Sequence, residues 1–124
     1  MPKKILVVDD EPDVVTYLTT LLEDAGYSTV SASNGEEGLE KVRGESPDLV
    51  TLDISMPEKS GVRLYTEIKN DDALKSIPVI VVTGIQGEIE KFLSTRRQVP
   101  PPDDFVAKPI DREALVEKVK KLIG

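Results

Sequence analysis

The sequence predicts an α/β fold, a parallel sheet covered by helices on both faces. Three observations carry this. Short apolar runs recur five times along the chain, each is followed by a segment of helical periodicity, and the most apolar runs lack any polar alternation. Strands buried on both faces read as such continuous runs, whereas strands with one wet face alternate.

The elements follow in order. "ILVV" (5–8) is the first strand, and Val14, Leu18, Leu21, Leu22 and Ala25 then share one helical face that Gly26 closes. "STVSAS" (28–33) is a weaker strand, apolar only at Val30 and Ala32, and Asn34 caps a helix carrying Leu39 and Val42. "DLVTLD" (48–53) is the third strand; Ser60 caps a helix with Leu64, Tyr65 and Ile68 inward. "VIVVT" (79–83) is the fourth and most apolar strand, with a helical stripe of Ile85, Ile89, Phe92 and Leu93 behind it. "FVA" (105–107) is a short fifth strand. Asp111 then caps a last helix with Leu115, Val116, Val119, Leu122 and Ile123 inward and Lys118, Lys120 and Lys121 near its negative end.

The alternating second strand and the very short fifth belong at the sheet edges. Right-handed crossovers then favour the flavodoxin-like order 2-1-3-4-5, with the winding reversing between strands one and three. The 124 residues form one domain, 1–124, with no repeat, low-complexity tract or interdomain linker. Only "VPPPDD" (99–104) is stiff and extended, and it reads as a loop.

Composition narrows the chemistry. Sixteen basic residues against 23 acidic give a net charge of −7, which argues against direct nucleic-acid binding. Cysteine and histidine are both absent, removing disulfides, thiolate or imidazole metal sites and the commonest general base. Chemistry falls to carboxylates, lysine, hydroxyls and a borrowed ion. No apolar run approaches the ~20 residues that cross a bilayer, and no signal peptide opens the chain. A cytoplasmic protein without membrane insertion is expected.

The stretch "KKILVVDDEPD" (3–13) runs a buried strand directly into three acids and Pro12. Helix-start chemistry accounts for some of this, since acids and proline suit a first turn. It says nothing about Asp53, which ends the third strand. In the predicted order, strands one and three are neighbours at the reversal, and ligands bind there, at the carboxyl ends. Asp9, Asp10 and Asp53 therefore converge, with Thr83 ending strand four and Lys108 following strand five at the same rim. Clustered carboxylates repel unless a cation neutralises them, and Mg2+ favours a few carboxylates plus water. An aspartate between a metal and a lysine is placed to attack phosphorus, with a hydroxyl such as Thr83 to bind a phosphoryl oxygen.

Four fragments, "LVVDDE", "LDISMP" followed by Gly61, "VIVVTG" and "FVAKP", together resemble the receiver domain of bacterial two-component response regulators, of the single-domain, chemotaxis-regulator-like kind. The resemblance implies that Asp53 accepts a phosphoryl group from the phosphohistidine of a histidine kinase or histidine phosphotransfer protein. It implies Mg2+ bound by Asp10, Asp53 and the backbone carbonyl of Ser55, with Asp9 assisting through water. Lys108 is the implied lysine, reaching the acids through a cis Lys108–Pro109 bond; Thr83 is the switch hydroxyl and Phe105 the switch aromatic. A downstream protein target is expected on the face of the fourth helix, fifth strand and fifth helix. The protein is then a phosphoacceptor in a phosphorelay, catalysing its own phosphotransfer and dephosphorylation, and no turnover enzyme. Thr83 also reads as an ordinary strand residue and Phe105 as ordinary core; Met56-Pro57 and Gly61 read as loop geometry.

Two rivals stand beside this reading. A haloacid-dehalogenase-type phosphatase also attacks through aspartate with Mg2+, but it wants two aspartates separated by one residue, and Asp9 and Asp10 are adjacent. A receiver-shaped scaffold that never takes phosphate usually lacks part of the acid set, which is complete here. Two features depart from the receiver pattern: the stretch from Thr83 to Lys108 is a few residues longer than is common, and Ile85 stands where many relatives carry a polar residue. The longer stretch reads first as a stiff polyproline spacer and second as a change in partner choice. Met1 lies just before strand one and Gly124 just after the last helix, so the domain is expected either to stand alone or to have been cut at a linker.

Overall fold

A computed structural model describes residues 2–56, 60–84 and 102–124. Five parallel strands, β1 (Lys4–Val8), β2 (Ser28–Ala32), β3 (Leu49–Asp53), β4 (Val79–Thr83) and β5 (Asp104–Ala107), form one sheet in the order 2-1-3-4-5. Among the described residues there are four helices, α1 (Pro12–Asp24), α2 (Gly35–Glu45), α3 (Ser60–Asn70) and α4 (Arg112–Ile123). The expected helix of Ile85, Ile89, Phe92 and Leu93 lies outside the described residues, as does the proline loop up to residue 101.

Burial explains the order. Every side chain of β3 and β4 is buried, and all of β1 is buried except Lys4 at its start. Edge strand β2 is only half-buried until Ala32, and β5 buries Val106 alone. On one face, Leu6, Val8, Val50, Leu52 and Val81 pack with Val42 of α2 and Leu64, Tyr65 and Ile68 of α3. On the other, Ile5, Val7, Leu49 and Ile80 pack with Leu18, Leu21 and Leu22 of α1 and Leu115 and Val119 of α4. A core divided by the sheet in this way leaves the strand ends as the place for polar groups.

The helix starts use local chemistry. Asn34 accepts the Glu37 N–H at 2.8 Å, while Glu37 reaches back to the Ser33 N–H at 2.6 Å, a reciprocal cap. The bonds that the Glu37 carboxylate accepts from the Ser33 N–H and hydroxyl hold it below its ordinary range. Asp111 accepts the Glu113 N–H at 3.0 Å, capping α4 as expected. Two expectations change. Helix α3 begins at Ser60 itself, not after it, and Gly61 lies in its first turn. A Cβ on Gly61 would stand 2.1 Å from the Asp53 carbonyl oxygen. The glycine is there for close packing of α3 against the end of β3, and the loop-turn reading is replaced by that contact.

Candidate functional site

The β1–β3 register pairs Val8 with Leu52, so Asp9 and Asp53 leave adjacent strands at the same level. Both are buried, at 2% and 1% exposure, which is unusual for carboxylates. The Asp9 backbone extends the ladder by donating to the Ala32 carbonyl at 3.1 Å. Its Oδ1 accepts the Glu11 N–H at 2.9 Å. Its Oδ2 faces the Lys108 ammonium at 3.3 Å without an aligned hydrogen bond among the described residues.

Glu11 is the N-cap residue of α1, yet its side chain makes no capping bond. It turns instead to Lys108, whose Nζ lies 3.0 Å from Glu11 Oε1 and 3.2 Å from Asp53 Oδ2. Side-chain capping of α1 is therefore not what these acids do. On Asp53, Oδ1 accepts two bonds from Ser55, from the N–H at 2.8 Å and from Oγ at 2.5 Å. Asp10 is exposed at the rim beside them. One carboxylate oxygen from each of Asp9, Asp10, Glu11 and Asp53 lies within 4.8 Å of all the others.

Lys108 follows β5, and its backbone N–H donates to the Thr83 carbonyl at 2.8 Å. The Lys108–Pro109 bond is cis. Thr83 is buried at the end of β4. Phe105 is half-buried and packs on the core face that carries Val81, its partner in the β4–β5 register. Thr83 pairs with Ala107, so Thr83 and Phe105 share one sheet face one alternation apart.

The electrostatics follow from burial. Desolvation raises the Asp9 carboxyl to about 6, helped by repulsion from Asp53 and opposed by the Glu11 N–H and Lys108. Burial alone would lower the Lys108 ammonium, but the Glu11 hydrogen bond and the Asp53 and Asp9 charges outweigh it and hold it above its ordinary range. A hard divalent cation fits this donor set: all ligands are carboxylate oxygens, and buried Asp9 Oδ2 accepts no aligned hydrogen bond among the described residues, having only the Lys108 ammonium at 3.3 Å.

The sequence-derived site residues other than Phe105 reach the same end of the sheet, and Phe105 stands two positions back along β5 beside Val81. Asp9, Asp10, Asp53 and Lys108 converge, Ser55 folds onto Asp53, and Thr83 and Phe105 lie on the neighbouring strands. The residue that sequence reasoning missed as a partner is Glu11, among the described residues the nearest acid to Lys108. Its position directly after Asp9-Asp10 was the available signal. Among the described residues no helix is long and apolar enough to cross a membrane.

Comparison with known proteins shows the family. The family model of the response regulator receiver domain matches residues 5–120. The chain is 35% identical over 123 residues to the alkaline phosphatase synthesis transcriptional regulatory protein PhoP of Bacillus subtilis, covering 99% of this chain and 49% of PhoP, so it spans about half of that relative. It is 33% identical to the polar-differentiation response regulator DivK of Brucella anthropi, covering 100% of this chain and 98% of DivK. The solved signal receiver domain of a signal transduction histidine kinase from Syntrophus aciditrophicus superposes with a TM-score of 0.85 at 33% identity, covering 98% of this chain and 89% of that one.

Proposed function

The chain belongs to the response regulator receiver family, and we propose that it works as a phosphorylation-dependent switch of a two-component phosphorelay. Asp53 accepts the phosphoryl group from a phosphohistidine on a histidine kinase or histidine phosphotransfer protein. A carboxylate oxygen of Asp53 forms the new bond to phosphorus while the phosphorus–nitrogen bond breaks and the imidazole leaves. Asp10, Asp53 and Ser55, with Asp9 behind them, would hold Mg2+, which when bound would neutralise charge on the transferring oxygens. Lys108 supplies a second positive charge, already drawn to Asp53 at 3.2 Å. That contact between a buried aspartate and a lysine arriving from β5 carries the proposal.

The protein acts on its own carboxylate, and we read residues 1–124 as one such domain working in the cytoplasm. Thr83 and Phe105 relay the state of Asp53 to a protein target, on the face to which β5 and α4 contribute. Intact-mass measurement after incubation with Mg2+ and acetyl phosphate tests the assignment. A gain of one phosphoryl group is expected in the parent and none in Asp53→Asn. A gain that survives in Asp53→Asn overturns the assignment; turnover of p-nitrophenyl phosphate would favour the phosphatase reading.

A further inference from the structure

Tyr17 presents a puzzle on α1. It is 46% exposed, far more than any core-facing residue of that helix, and it is the exposed large hydrophobic residue among those described. Its hydroxyl explains the position. Tyr17 Oη donates to the backbone carbonyl of Ile110 at 3.1 Å, across 93 positions of sequence. Ile110 lies two residues after Lys108, in the short connection between β5 and α4, and packs on the core face shared by α1 and α4.

That connection is held at one end by β4 and at the other by α4. The Lys108 N–H is bound to β4 through the Thr83 carbonyl, and Asp111 belongs to the cap of α4. The Tyr17 bond is of another kind, because it joins the connection to α1. Helix α1 starts one residue after Glu11 and so is joined directly to the acids of the β1 end. The bond thus links the element that carries the acids to the connection that carries the lysine.

We propose that Tyr17 is a positioning residue for Lys108, acting through the Ile110 carbonyl to keep the ammonium in reach of Asp53. This rests on the reading that Asp53 is the phosphoacceptor. A half-exposed hydroxyl bond contributes modestly to stability, because water competes for both partners. A transfer step is more sensitive, since small displacements of a charged group at the reacting centre change its rate steeply. Tyr17→Phe removes the hydroxyl and keeps the ring on the same surface.

Two measurements on the full chain test it. Metal-free parent and Tyr17→Phe are briefly acetylated with an N-hydroxysuccinimide ester, and each lysine is quantified by peptide mass spectrometry. Labelling of Lys108 should rise about two- to fivefold, the scale of one lost hydrogen bond, with the other lysines unchanged. The rate of phosphorylation by acetyl phosphate at saturating Mg2+ should fall by a similar factor at an unchanged Mg2+ midpoint. A small phosphodonor removes any contribution of α1 to protein docking. Parent-like labelling overturns the proposal, and so does raised labelling with a parent-like rate or a shifted Mg2+ midpoint. If the parent gains no phosphoryl group on Asp53, the phosphoacceptor reading fails, and the labelling contrast alone decides whether Tyr17 holds Lys108.

Discussion

The two ends of the sheet use the same residue types to opposite effect. At the amino end, Asp48 accepts the Lys4 N–H at 2.8 Å, and the Asp48 N–H returns a bond to the Lys4 carbonyl at 2.7 Å. The Lys4 ammonium meets Glu45 at 3.1 Å. Asp103 brackets the start of β4 likewise, accepting the Val79 N–H at 2.9 Å and donating to the Val79 carbonyl at 3.1 Å. Each acid there serves a strand's first residue. At the carboxyl end, Asp9, Glu11 and Asp53 crowd around the single ammonium of Lys108, and two of the three are buried. Acids at the amino end stabilise the fold, whereas those at the carboxyl end are held together at a cost that a cation can relieve.

Glycine substitutions should show the contrast most strongly. Gly61→Ala pushes a methyl group against the Asp53 carbonyl, so either α3 or the end of β3 must shift. Urea denaturation should report a loss of about 2–4 kcal/mol, in the range of severe overpacking. Gly44 lies near the end of α2 toward the amino side of the sheet, with nothing within 4 Å of an added Cβ. Gly44→Ala should gain about 0.5 kcal/mol from helix propensity. Equal effects at the two glycines would remove the idea that the carboxyl end is the tightly determined one.

A pair of acid substitutions gives smaller effects of opposite sign. The folded Asp9 carboxyl titrates at about 6 against an ordinary 3.8, so between those values the folded state holds more protons and stability falls as pH rises. The penalty is complete above pH ~6 and absent below ~3.8. In metal-free protein at pH 7, Asp9→Asn should stabilise by about 1–2 kcal/mol, less than the whole shift because a buried asparagine amide also needs partners. That gain should shrink toward pH 4. Asp48→Ala should instead cost about 1 kcal/mol, one hydrogen bond to a strand's first amide. Denaturant midpoints across pH 4–7 measure both, and destabilisation by Asp9→Asn at pH 7 would break the contrast.

The difference between the ends also sets what the sequence disclosed. The strand order followed from which runs were apolar throughout, and the convergence of Asp9, Asp10, Asp53 and Lys108 followed from that order. Caps at Asn34 and Asp111 were readable because they act within three residues. What escaped needs three-dimensional packing. Gly61 looks like a turn residue until α3 is laid against the Asp53 carbonyl. Glu11 resembles a helix-start acid until Lys108 arrives from β5, and nothing near Tyr17 in sequence signals Ile110.

Thermal melting with and without Mg2+, on parent and Asp10→Asn in parallel, tests most directly whether the carboxyl-end acids form a cation site. A ligand that binds only the folded state stabilises it by about 2.7 kcal/mol at a hundredfold excess over its dissociation constant. Parent protein should melt several degrees higher as Mg2+ is raised through the millimolar range. Asp10→Asn should keep its fold and lose most of that rise. A parent that is indifferent to Mg2+, or a rise of equal size in both proteins, would contradict a cation site built on Asp10.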